Sequence, residues 1–536
     1  MGVYLAISDG TTTVDLSADY INNQYVPMAG APDEEWVTES GLFRFDQGVS
    51  AWRTDIQNIG KLFTRAQEWH KSRTGNRVFI KFKWQSGDDA YRSEVATGLV
   101  VPDRQTLGVA MANAGTPTYG LFDIQWTRRN YWEDDTERTL FVQGFNVTGG
   151  TPQIYNSYNV TDKTGEAIGT AGAGTVYAGT LLNTPVEAYL NPAEIFYSWN
   201  SAARTATVTA GTTATSGGAI AGSGIASGTI NYTNGIWGIT FSSAPAGTFT
   251  ADYRYGYGNY LNIPGTAVAG DLPAPVKLDY LGRYHNMFIA STYGSPASWT
   301  NAYEVEEVAG LSTNAGTEAA TVTASGGTYV TYNAGTASEL FLNLVPTSQY
   351  LAENDFYTPL FFQNIGSADG GTNTYWKQYV RIAGGFTYES EQVRFTNTTG
   401  IHKMPPLTFK NSNFISSDGT AMHDDYRLYI QKIDAGGGSA LLFDFVQFMP
   451  TLGGYCETFP EVFSLGSATV VDGINERVYH YVLGANPAVY YDSIADYGWV
   501  TVCPGQANRI YTLVNLKSPF TATPVTVTYR PRRRVI

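Results

Sequence analysis

Side chains between Thr248 and Tyr255 alternate. Phe249, Ala251, Tyr253 and Tyr255 fall on one face, and Thr248, Thr250, Asp252 and Arg254 on the other. A period of two marks a half-buried strand, and Pro245 and Gly247 just before it predict a hairpin turn. The same alternation places Val78, Ile80, Phe82 and Trp84 opposite Lys81 and Lys83, and Phe122, Ile124 and Trp126 opposite Asp123 and Gln125. It predicts further strands at 92–101 and in TPVTVTYRPR, where Val525, Val527 and Tyr529 alternate with Thr526, Thr528 and Arg530. One stretch keeps a different period: Ile56, Ile59, Leu62, Phe63, Ala66 and Trp69 or His70 recur every 3.6 residues, the spacing of an amphipathic helix over 54–73. Thr54 with Gln57 reads as a capping box, and Gly75 suits the stop.

The order of these elements predicts a mainly β protein in four parts. Residues 1–163 with 258–275 form one sheet domain crossed by a single helix. In residues 164–257 the composition shifts, and the stretch TATVTAGTTATSGGAIAGSGIASGT is nearly chargeless and rich in Gly, Thr and Ala. These residues could form a flexible linker, but the β-branched alternation in TATVTAG favours a small ordered β insertion. Pro273 and Pro275 in GDLPAPVKL stiffen a connector. Beyond it, 276–450 reads as a run of short strands spaced as in a sandwich or jelly roll, and 451–536 as a last β domain.

Composition agrees: of 536 residues 15% are charged and 14% aromatic, with 57 Gly and 37 Tyr, which favours strands and tight turns. Such a length predicts three to five domains of ~100–200 residues. The formal net charge of −14 repels phosphate backbones, so a nucleic-acid reader is excluded, although DNA sliding through an acidic lumen is compatible. Arg530, Arg532, Arg533 and Arg534 run against this balance, either as a solvated tail or as a salt-bridging anchor to an acidic neighbouring subunit. Cys456 and Cys503, the only cysteines, are too few for a disulfide scaffold and are either paired or free. The opening MGVYLAISDG lacks a secretory pattern, and no apolar run reaches the ~20 residues of a membrane span. The expected setting is a chain made and folded in a cytoplasm.

Catalytic motifs are missing: HExxH, GxSxG, a Walker A loop and GxGxxG opening a helix are not found. The five histidines, His70, His285, His402, His423 and His480, show no metal-ligand spacing; His423 with Asp424 and Asp425 could ligate a metal, but a solvated turn before a strand is the favoured reading. The densest acidic clusters, around Glu306 and Glu389, read as surface rather than as a glycosidase pair. Sequons at Asn146, Asn159, Asn231 and Asn397 are coincidences of a Thr-rich chain. The expectation is therefore no enzyme, with no catalytic residue, cofactor or metal. Aromatics are the remaining resource: among those in 276–450, Tyr284, Tyr303, Trp376 and Tyr388 are the candidate glycan platform.

The first 160 residues, with VTESGLFRF, the helix LFTRAQEWHKSR, RVFIKFKW and LFDIQWTRRNYWED, resemble the N-terminal domain of phage distal-tail and baseplate (tail-tip) proteins. GDLPAPVKL, LLFDFVQFMP and VTVTYRPRR look like segments of large tail proteins. TNGIWGITFSSAPAGTFTADYRY resembles small β modules of phage baseplates. The resemblance implies a tail-tube-like β-sandwich with one helix that closes into a ring, hexameric in the favoured form and trimeric in the other, elaborated with a galactose-binding-like jelly roll. It implies a structural role between tail tube and tip in the virion tail. The partners would be the tail tube protein and a tip hub or tape-measure protein, with glycans of the host surface as a further partner. A host-attachment adhesin is the alternative, and a glycan-cleaving enzyme a third reading. Adaptors of this kind are often half this length, so this chain would be an elaborated member or a neighbouring minor tail protein.

Overall fold

The computed structural model describes 4–145 except 17–33, 47–51, 86–87 and 103–118, and 159–280 except 184–185, 187–192, 209–217, 232–234 and 258–259. From 287 it describes chiefly strands, together with 498–514 and 523–536. The protein is mainly β, built from antiparallel sheets, with one long helix among the described residues. Two units divide it: Met1–Arg138 with Ala269–Ala274 and Arg530–Ile536, and Thr139–Val268 with Pro275–Tyr529.

The first unit contains β1 (Tyr4–Ser8), β2 (Thr13–Asp15), β3 (Trp36–Asp46), α1 (Trp52–Ser72), β4 (Phe79–Lys83), β5 (Tyr91–Pro102), β6 (Tyr119–Arg129) and β7 (Trp132–Asp134). Neighbouring strands run β2-β1-β4-β5-β6-β3. β5 serves two partners in succession. Its first residues pair with β4, from Tyr91↔Phe82 to Glu94↔Phe79, and the rest pairs with β6, from Val95↔Arg128 to Pro102↔Phe122. The register shift between Val95 and Thr97 is the kind of irregularity that bends a strand. The alternating positions predicted to face inward do so: Ile80, Phe82, Phe122, Ile124 and Trp126 join Leu5, Ile7, Phe43 and Val95 in one core. Trp84 continues the alternation in sequence but lies past the end of β4 and is 43% exposed.

Ile59, Leu62, Phe63 and Ala66 of α1 enter that core. The helix begins at Trp52, so Thr54 lies within the first turn and is not the cap that its spacing suggested. It ends before Arg73 (φ 55°) and Gly75 (φ 88°), left-handed positions that terminate a helix. Its close seat on the sheet depends on Gly98. A Cβ built there would lie 2.4 Å from the Phe63 ring, so the missing side chain is where the ring fits.

In the second unit, β8 (Arg138–Phe145) is followed by an eight-stranded sheet that realises the ordered insertion. Its strands are β9 (Asn159–Thr170), β10 (Val176–Thr180), β11 (Glu194–Trp199), β12 (Ala202–Val208), β13 (Gly218–Ala221), β14 (Ile225–Ile230), β15 (Ile236–Phe241) and β16 (Ala246–Tyr257). They run β10-β15-β14-β13-β12-β11-β16-β9. Phe249, Ala251 and Tyr253 of β16 are buried with Tyr197, Trp237, Ile239 and Phe241. β10, β13, β14 and β15 carry no charged residue.

Strand pairing redraws two domain borders expected from the sequence. β17 (Tyr260–Ile263) pairs with Ala507–Val514, so 260–263 belong to the second unit and only 269–274 to the first. β18 (Ala274–Tyr280) pairs with Ala468–Asp472 and Thr523–Tyr529, and β19 (Met287–Gly294) with Ala507–Val514 and Tyr455–Glu457. Residues 274–294 therefore share sheets with 455–529 and not with the strands of 302–450, so the border expected at 276 is the second that strand pairing redraws. Strands between Ala302 and Pro450 form three further antiparallel sheets. Cys456 and Cys503 are both buried and free.

Candidate functional site

β3, β6 and the second half of β5 form a three-stranded ribbon in the first unit, with an inner and an outer face. On the inner face, Glu39 pairs in register with Trp126, in phase with Val37 and Phe43. Its carboxylate accepts hydrogen bonds from Arg128 Nε (2.9 Å) and from Trp126 Nε1 (3.1 Å), both at Oε2, and from Arg128 Nη2 at Oε1. Arg128 and Glu39 side chains are each 1% exposed, and the guanidinium lies 4.3 Å from the Trp132 ring centroid. A charge removed from water this completely needs both its counter-ion and its hydrogen bonds, and this pair has both.

The outer face is different. Leu42 is 54%, Leu99 56% and Val101 39% exposed. Leu42 and Val101 flank Asp123 in one transverse row, and Ser40 and Leu99 flank Gln125 in the next. Thr38 and Thr127 share a hydrogen bond of 3.0 Å beside them. At the far end Arg129 stacks on Trp36 at 4.1 Å and pairs with Glu35. Among the described residues β3 pairs only with β6. Neither this face nor the inner ion pair was singled out from the sequence. The signals were present: Leu42, Leu99 and Val101 occupy the phase opposite to Phe43 and Ile124.

The arginines that sequence reading singled out gather on this unit's own acids. Arg532 Nε lies 3.1 Å from Glu133, Arg533 Nε 3.1 Å from Asp134 and Arg530 Nη2 2.9 Å from Glu137. The Arg534 N–H donates to Asp271 at 3.4 Å. Arg532 also stacks on Tyr131 at 4.1 Å. Arg530, Arg532 and Arg533 thus have carboxylate partners within the first unit. Burial by itself would raise the Glu133 carboxyl, but Arg532 and Arg92 outweigh it and hold that carboxyl below the ordinary range. Asp9 is lowered too: against the effect of burial, Thr12 and Thr11 donate backbone N–H bonds of 2.6 and 2.9 Å and Arg65 pairs with it.

Of the glycan candidates, Tyr303 lies on Ala302–Glu304, Trp376 on Tyr375–Ile382 and Tyr388 on Phe386–Glu389. Trp376 and Tyr388 share a five-stranded sheet, with Tyr388 opposite Val380, while Tyr303 belongs to a different, four-stranded one. Tyr284, Glu306 and the turn at His423 lie outside the described residues. Glu389 is opposite Tyr379 in its sheet. His70 closes on Glu94 (3.5 Å) and edge-on to Trp36. Among the described residues no group of three or more His, Cys, Asp and Glu is placed to hold a metal ion, and no helix is long and apolar enough to cross a membrane.

No protein-family model matches the chain, and no curated protein matches it. Among solved structures, the infectious bursal disease virus VP2 subviral particle aligns at 8% identity, covering 72% of this chain and 83% of that one. Its TM-score of 0.11 is too low to carry an argument about fold or function.

Proposed function

We propose that the chain is a structural component of a phage or prophage tail tip, a distal-tail-type protein whose first unit packs against copies of itself to form a ring. The observation that supports this reading is the outer face of β3, β6 and β5. Three half-exposed aliphatic side chains share it with Thr38, Thr127, Ser40, Gln125 and Asp123, on a ribbon whose outer strand β3 pairs only with β6 among the described residues. The threonine and serine side chains lose little entropy when a contact becomes permanent, and a strand edge supplies main-chain hydrogen bonds across a subunit boundary. In this reading the sheets between 302 and 450 are accessory and bind host-surface glycans.

The test is the oligomeric state of the purified chain by light scattering, together with negative-stain imaging. Rings are expected, hexameric in the favoured form. Leu42→Asp with Leu99→Asp should dissociate them while leaving the circular dichroism spectrum unchanged, because both side chains already face water. A wild-type chain that stays monomeric at high concentration, with no ring in the images, would refute the reading.

A further inference from the structure

We propose that residues 530–536 are a detachable clasp: they dock in an acidic groove of the first unit and can leave it as a single local opening step, without unfolding the sheets. The groove is made by Tyr131, Glu133, Asp134 and Glu137 from the β7 region, with Asp271 beside them. What holds the segment is mostly charge. Three arginines meet three carboxylates at 2.9–3.1 Å, one of them also covering Tyr131, and Ile536 packs against the core.

The main-chain hold is small by comparison. The ladder with β7 has two residue pairs, Arg532↔Glu133 and Arg533↔Trp132. Beyond it the Asp134 N–H donates to the Pro531 carbonyl at 3.0 Å, the Asp271 and Leu272 N–H groups to the Arg532 carbonyl at 2.8 and 3.3 Å within an isolated bridge, and Arg530 Nη1 to the Asp134 carbonyl at 3.3 Å and to the Asp135 carbonyl. A short ladder of this kind opens at far lower cost than the strands beneath it. The hold also yields to salt: the Arg533 side chain is 29% exposed and that of Glu137 37%, so ions screen these pairs.

Docking matters to the groove because of Glu133. The side chain is 11% exposed and is met by two cations, Arg532 at 3.1 Å and Arg92 at 3.3 Å. When the clasp leaves, Arg532 and Arg533 leave with it; Glu133 keeps Arg92 at 3.3 Å and Asp134 keeps Arg138 at 3.1 Å, while Glu137 loses Arg530. Opening is therefore disfavoured but local, and it exposes a surface of defined charge.

Hydrogen exchange on the full-length chain tests this. Raising salt from about 0.05 M to about 1 M should speed exchange several-fold at the Asp134 and Asp271 amides, with Phe79–Lys83 and β15 unaffected. In Arg532→Ala/Arg533→Ala the same amides should exchange about a hundredfold faster, and lysine at both positions should restore part of the protection. The proposal is overturned if these amides exchange at the rate of the whole first unit, or if neither salt nor the alanine variant changes them.

Discussion

Replacing Glu39 with glutamine should destabilise the first unit far more than a surface glutamate would. The substitution keeps the shape but leaves the Arg128 guanidinium, 1% exposed, without its counter-charge. Breaking a buried pair from one side costs about 3–5 kcal/mol, a large share of the roughly 5–15 kcal/mol that holds a domain folded. Arg128→Met strands the carboxylate and should cost about the same. The double replacement Glu39→Leu/Arg128→Met removes both charges and their desolvation. Its remaining penalty is the Trp126 N–H left without its carboxylate, about 1–3 kcal/mol, and the lost stacking on Trp132, about 1 kcal/mol. The double variant should therefore be more stable than either single one. Urea unfolding read by hydrogen exchange at β3 and β6 amides isolates this unit from the other. If the two single effects add to within about 0.5 kcal/mol in the double variant, the pair does not act as a coupled unit and the reasoning fails.

Other perturbations should behave as follows. Glu133 and Asp9 have carboxyls lowered in the folded state, so their contribution is complete above the unfolded carboxylate range near pH ~4 and is lost as pH falls through the lower folded values. Acid titration of stability should accordingly be shallower in Glu133→Gln and Asp9→Asn, and an unchanged slope would count against the assignment. Gly98→Ala forces a methyl into the Phe63 ring and should cost about 1–3 kcal/mol, visible as faster exchange throughout α1; pairing it with Phe63→Leu should recover part of the loss. Burial pushes the Cys456 thiol up to about 12, so a thiol reagent at neutral pH should leave it unmodified until the chain is denatured.

Local order was legible in the sequence where a single periodicity sufficed. Ile80 and Phe82, then Phe122, Ile124 and Trp126, were placed inward by alternation, α1 by its 3.6-residue spacing, and the insertion by its β-branched residues. The helix start was missed because Thr54 and Gln57 imitate a cap one turn too deep. What alternation alone could not supply was partnership across the chain. Nothing near Arg532 announces Glu133, 399 positions earlier, and nothing in NYLNIP announces Ala507–Val514. The expected borders at 258 and 276 shift for this reason: strands far apart in sequence share hydrogen bonds, and composition does not report them. Glu39 is the instructive case. Its phase with Val37 and Phe43 put a carboxylate on the buried side, and Arg128 stands in the same phase as Trp126, so the pair could have been inferred by treating charge at an inward position as a demand for its opposite.

The four strands without charge in the insertion, β10, β13, β14 and β15, make that part of the protein indifferent to its medium. Their side chains carry no group that titrates in acid and no ion pair for salt to screen, so pH and ionic strength do not act on them through charge. The first unit's acid and arginine contacts respond to both. One polypeptide thus joins a region that registers its environment to a region that does not.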